Sequence, residues 1–170
     1  MQQASVQQGS MNSSRRGRRS STMGGMPVND MPWWRWRCNV RSALHMLSDM
    51  TFQQDCWAAG LQGYGDVTDA VYRLVEDTWL DNWPAEKYVG TVFRDAQEAA
   101  LVDTAVLRVL RIMHQVGADA PVASYLEHQG WPDAVRAARD AHVRLAANDG
   151  DDPDEPPRSL DVLAMVLRSV

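Results

Sequence analysis

The chain has 170 residues, 45% of them hydrophobic, and a formal net charge of −5, which is enough for one domain burying roughly two thirds of its unfolded surface. Residues 1–44 hold seven arginines (15, 16, 18, 19, 35, 37 and 41) against one acid, Asp30, so any contact with nucleic acid is confined to that end and opposed by an acidic body. The cysteines Cys38 and Cys56 fit no CxxC pair, zinc site or disulfide framework; with no apolar run near the ~20 residues that span a bilayer and no secretory h-region, a cytoplasmic protein without a membrane contact is expected.

Residues 1–30 are rich in Gln, Ser, Gly, Arg and Met and show no hydrophobic period, a composition that does not repay the entropy of ordering. They are expected to form a disordered basic arm. Four in-frame methionines, Met11, Met23, Met26 and Met31, leave open a translation start further along.

A helix is predicted from about 32 to 47. Asp30 is read as its cap and Pro32 as a first-turn residue, while Trp33, Trp36, Val40, Leu44 and Leu47 recur at spacings of three and four. On a wheel of 100° per residue this stripe takes Trp33 and Trp36 into the core and leaves Trp34 beside Arg41 and His45. Trp34 and Arg41 are therefore read as available to a partner, through cation–π contact or recognition of an acidic group. Ser48 or Asp49 is expected to cap a shorter helix ending near Gly60.

The turn "GYGD" at 63–66 leads into a predicted helix over 67–80, with Asp66 as cap, an apolar side at Val67, Ala70, Val71, Leu74 and Val75, and Asp69, Arg73 and Asp77 as i, i+4 partners. Residues 81–94 contain Pro84 and Gly90, and "YVGTVF" is the one place where a short strand is expected. From about Asp95 to Val116 a stripe of Ala99, Val102, Val106, Val109, Leu110, Met113 and Val116, widened by Leu101, Ala105 and Ile112, marks a central helix touching several neighbours. Gly117 ends it. A short helix opened by Pro121 and another from Pro132 to about Ala147 follow.

The fold class expected is thus all-α, a compact bundle of five to six helices. Its divisions are the arm 1–30, a helical domain 31–147, an acidic Pro-rich linker 148–158 ("NDGDDPDEPPR") and a short amphipathic segment 159–170 with Leu160, Leu163 and Leu167, which could fold back or bind a partner.

Chemistry-bearing patterns are few. Histidines at 45, 114, 128 and 142 show no i, i+4 pairing and no HExxH, and GxGxxG, GxxxxGK[ST] and GxSxG are absent. No catalytic residue, metal site or cofactor is assigned. His142 lies in the apolar stripe Val135, Ala138, Leu145, Ala146, where a satisfied core histidine outweighs a general base. The densest acidic group is "DVTDAVYRLVEDTWLDNW", 66–83. Taken singly, its residues cap a helix or form i, i+4 pairs; together they suggest a docking face, with Trp79 and Trp83 as aromatic anchors or, equally, core fillers.

Four blocks carry a resemblance: "ALHMLSD" (43–49) followed by Gln53, Asp55 and Trp57; "DVTDAVYRLVEDTWL" (66–80); "VGTVF" (89–93); and "YLEHQGWPDAVRAARDA" (125–141). Together they resemble a family of small single-domain bacterial proteins of unassigned biochemistry, over about residues 36–146. The resemblance implies no catalytic residues, and it implies that the arm and the acidic tail are additions to the domain.

The expected function is non-catalytic binding of a protein partner, of a regulatory or immunity type, through Asp69, Arg73, Asp77, Trp79, Asp81 and Trp83. The alternative is association with nucleic acid through residues 1–30 with Trp34 and Arg41. The least favoured reading is a small hydrolase built on His142, which requires a pocket where it meets carboxylates.

Overall fold

The structure is a computed structural model that describes residues 32–61 and 65–151. Among these residues it is all-α with six α-helices, as the periodicities predict, and it contains no strand. The expectations for the arm at 1–30, for Gly63 and for the segment 159–170 lie outside the described residues.

Helix α1 is Trp33–Ser48. Pro32 itself stands at its N-cap, one position earlier in the helix frame than expected, and its fixed φ suits that role. A three-residue α2, Met50–Phe52, is capped by Asp49, whose side chain accepts from the Phe52 amide at 2.9 Å. It continues into a π-turn at Gln53–Trp57. Helix α3 is Val67–Val75, opened by a full capping box in which Asp66 accepts from the Thr68 and Asp69 amides and Asp69 accepts from the Asp66 amide.

Helix α3 ends five residues short of the predicted end at Leu80. Thr78 turns its hydroxyl back to the Leu74 carbonyl, and Trp79 takes a left-handed φ of 59°, a conformation that a bulky residue adopts only where the surrounding chain enforces it. The expected strand at "YVGTVF" is likewise absent. A 3₁₀ turn, Ala85–Tyr88, runs into a tight bend in which the Thr91, Val92 and Phe93 amides all turn toward the Tyr88 carbonyl and Gly90 takes φ +83°. Only the isolated bridge between Val89 and Phe93 remains of it. Those apolar residues serve the core instead, with Tyr88, Val92 and Phe93 buried.

Helix α4, Ala96–Val116, is capped by Asp95 and stopped by Gly117, whose φ of +100° favours glycine. Helix α5 is Val122–Leu126 and helix α6 is Trp131–Asp149. The wide stripe of α4 packs chiefly on α6, while α1 packs on α6 and α3. Val40, Leu44, Leu74, Val102, Ala138 and Leu145 are fully buried where these helices meet.

One side chain departs from the expected core. Trp36 is buried, edge-on to Tyr88 with ring centroids 4.9 Å apart, but Trp33 is 59% exposed. It lies on the apolar stripe of α1, yet on the first turn, where the stripe runs past its described neighbours. The domain also extends beyond 147. Asn148, Asp149 and Asp151, expected in the linker, are bound into the helical body through their side chains.

Candidate functional site

Charged side chains gather in two quite different places, one at each end of α4. At its N-terminal end, Arg37 and Arg41 project from successive turns of α1 into the body of the domain and are 6% and 8% exposed. Arg37 donates to both oxygens of the fully buried Glu98, at 2.8 and 2.9 Å, and to the Val92 carbonyl at 2.8 Å. Its Nε donates to Asp149 at 3.0 Å. Arg41 pairs with Asp149 at 2.9 Å and with Asp151 at 2.5 Å, and Arg94 reaches Asp149 from the rim at 2.9 Å.

Glu98 also accepts from the Arg94 amide at 2.6 Å and from Asn148 at 2.8 Å. Asp95 accepts from Arg144 at 2.7 Å and Asn148 at 3.1 Å. Burial alone lowers the tendency of Arg37 to hold its proton, but the bonds and charges of Glu98 and Asp149 outweigh it and raise the pKa above the ordinary value. For Glu98, burial pushes the carboxyl up, and the bonds from Arg37, the Arg94 amide and Asn148 overcome that and lower it. The Glu98 amide, with Arg144 and Asn148, holds Asp95 down at about 2. Every carboxylate here has its cation, so the cluster ties α1, α4 and α6 together.

Sequence reading missed this cluster. The one visible signal was register: Glu98 stands four residues before Val102 and seven before Ala105 on the buried side of α4, and Arg37 stands seven before Leu44. Arg41, expected to face a partner beside Trp34, is corrected by the same geometry. It points inward, because two carboxylates from the end of α6 compensate its burial.

At the other end of α4 the charges are arranged differently. A groove of about 580 Å³ runs between α3 and the last turns of α4. Val71, Val75, Leu110 and Met113 form its floor, and Tyr72, Glu76, Asp81 and His114 its rim. Tyr72 is 53% exposed; its hydroxyl lies against Glu76, whose bond and charge raise the phenol's pKa. Neither Glu76 nor Asp81 is ion-paired among the described residues. Residues 65–82 hold five carboxylates against one arginine, which gives this end a negative field.

Of the expected docking residues, the structure brings only Asp81 to this groove. Asp69 completes the α3 capping box, Arg73 is exposed on α3, and Asp77 is half-buried and accepts from Asn39 of α1 at 3.1 Å. Trp79 is partly exposed beyond the end of α3. Trp83 is half-buried against the core, with the Lys87 ammonium 3.5 Å above its ring. Trp34 is 42% exposed on the first turn of α1, next to Trp33. Glu76 belongs to the stretch read as an acidic docking face, while Tyr72, four residues before it, is the groove residue that sequence reading passed over.

A second groove, of about 590 Å³, lies between α4 and the α5–α6 connection, with Arg108, Arg111, His128 and Asp133 among its lining residues. Arg108 is answered there by Asp133, at 3.7 Å. His142 opens into neither groove. It is 2% exposed, its ring 5.2 Å from that of His45.

Among the described residues no group of three or more His, Cys, Asp or Glu is arranged to hold a metal ion. No described helix is long and apolar enough to cross a membrane.

Comparison with known proteins finds a match to one family and none elsewhere. No curated protein and no solved structure matches the chain. The profile of a family described as "Domain of unknown function (DUF7945)" matches residues 31–153. The chain belongs to that family, whose span covers the helical body and the Asp149–Asp151 anchor together.

Proposed function

We propose that the chain is a non-catalytic protein-binding module whose α3–α4 groove receives an apolar, cationic helical segment of a partner. The observation that carries this reading is the combination of an apolar floor with an acidic rim whose carboxylates, Glu76 and Asp81, form no ion pair among the described residues. An amphipathic helix meets such a groove with anchors at i, i+3, i+4 and i+7 and with Lys or Arg toward the rim, while exposed Tyr and Trp supply large contact area at low entropy cost. A regulatory or immunity-type role in the cytoplasm is part of the same reading, since such roles turn on recognition rather than chemistry.

A fluorescein-labelled Leu/Lys helical peptide tests it, with a Leu/Glu peptide of the same spacing as control. Anisotropy should rise with the cationic probe alone, weaken with added salt, and fall at least tenfold in affinity for Glu76→Lys/Asp81→Lys. Equal binding of both peptides, or an affinity unchanged in the double variant, overturns the proposal.

A second reading is favoured by the exposed pair Trp33 and Trp34, next to exposed Arg35. Together with the arginines at 15–19 they offer stacking and phosphate contacts to single-stranded nucleic acid. A single-stranded oligonucleotide should then shift in a gel at low salt and cease to do so for Trp33→Ala/Trp34→Ala. No shift at low salt removes this reading.

A further inference from the structure

The groove asks for a segment that is apolar along one side and cationic at its edges, and the chain itself contains one. Residues 158–170, "RSLDVLAMVLRSV", carry Leu160, Leu163 and Leu167 at spacings of three and four, with Arg158 and Arg168 against one acid, Asp161. Elsewhere beyond Asp151 the chain is acidic, with Asp152, Asp154 and Glu155. Only its last stretch complements the rim.

Reach is sufficient. The buried cluster pins the chain at Asp149 and Asp151 beside the N-terminal end of α4. The groove begins some fifteen residues further along that helix, roughly 22 Å away at 1.5 Å per residue. The nine residues from Asp151 to Leu160, extended, span about 30 Å. A tether of this length gives an effective concentration in the millimolar range.

We infer that residues 158–170 occupy the α3–α4 groove of their own chain, so that an outside ligand gains the groove by displacing them. This rests on the reading of the groove as a receptor for a cationic helical segment. Leu163 and Leu167 lie on the floor formed by Val71, Val75, Leu110 and Met113, and the arginines face Glu76 and Asp81. The acidic stretch 152–155 keeps the tether itself off the rim by like-charge repulsion.

The test uses the full chain with the photo-crosslinking residue p-benzoylphenylalanine in place of Tyr72. After irradiation the expected product has the mass of one chain, and its trypsin digest joins position 72 to the peptide Ser159–Arg168. Introducing Leu163→Asp/Leu167→Asp should abolish this link and raise the affinity for the Leu/Lys probe about tenfold, as competition from the tethered segment ends. A link found only at twice the chain mass assigns the segment to a second copy and overturns the inference, as does a link to no part of residues 158–170 with probe affinity unchanged. In the latter cases, probe binding that still depends on Glu76 and Asp81 leaves the groove reading standing. Absence of probe binding in the Leu163→Asp/Leu167→Asp chain ends both.

Discussion

The two ends of α4 treat carboxylates in opposite ways. At the N-terminal end Glu98 is buried, Asp149 is partly buried, and both are matched by Arg37, Arg41 and Arg94. At the C-terminal end Glu76 and Asp81 stand over an apolar floor with no ion-pair partner among the described residues. Matched charge in a low-dielectric setting fixes which helices meet and in what register, even where it adds little net stability. Unmatched charge at a solvent-open rim contributes nothing to folding and leaves its field for a ligand. The same residue types are therefore structural at one end and available for recognition at the other.

The largest test breaks the matched end. Arg37→Met removes the guanidinium and leaves Glu98 buried with its negative charge partly uncompensated, which should cost about 3–5 kcal/mol in urea denaturation. Arg37→Met/Glu98→Leu should recover part of that loss, and the double-mutant cycle gives the coupling. The same end sets the acid response. The pKa values of Glu98 and Asp95 lie below the ordinary carboxylate values when the chain is folded, that of Asp95 at about 2. Stability from these groups is present above the unfolded values and is lost as pH falls through the folded ones, so acid unfolding should gather between about pH 4 and pH 2. An acid titration followed by circular dichroism checks the window.

At the unmatched end, Glu76→Lys/Asp81→Lys should leave the urea midpoint within experimental error while lowering affinity for the cationic probe at least tenfold, about 1.4 kcal/mol. A loss of stability there would mean that the rim is structural after all, and the contrast between the ends would fall. Between these extremes lies the α3 cap. Asp66→Ala removes the acceptor for two amides and should cost about 1 kcal/mol, shifting the groove wall without changing its charge pattern at Glu76 and Asp81.

The sequence made the helices legible because their signals are local. Asp95, Gly117 and the α4 stripe lie within one segment, and periodicity locates all of them. The ion cluster is not local: Arg37 and Glu98 are 61 residues apart, and nothing in either neighbourhood names the other. Arg41 was misjudged for the same reason, since a wheel shows direction but not what waits there. Trp33 shows the converse, a side chain on the apolar stripe that stays exposed beyond its described neighbours. Of the acidic density of 66–83, Glu76 and Asp81 border the α3–α4 groove. Its face was missed because α3 stops at Val75, so that the turns after it, and not a continuous helix, place Asp81 at the groove.

The smallest effect, and the finest test of the contrast, belongs to His45. It sits one turn after Arg41 on α1, half-buried against His142 of α6. Burial lowers its pKa, and the Arg41 charge adds to this while the Asp49 charge opposes it. A histidine held below its unfolded value of about 6.5 binds its proton more readily in the unfolded chain. Its contribution is therefore present above that pH and lost as pH falls toward the folded value. The urea midpoint should decline slightly from pH 7 to pH 5.5, before the carboxylates titrate, and His45→Gln should flatten that slope. Because His114 stands on the groove rim, the readout is the effect of His45→Gln itself: probe binding should be the same in that variant and the parent chain at each pH, since His45 belongs to the α1–α6 contact near the matched end and lines no part of the groove. If His45→Gln altered binding along with stability, the two ends of α4 would be coupled through α1 and could not be treated as separate devices.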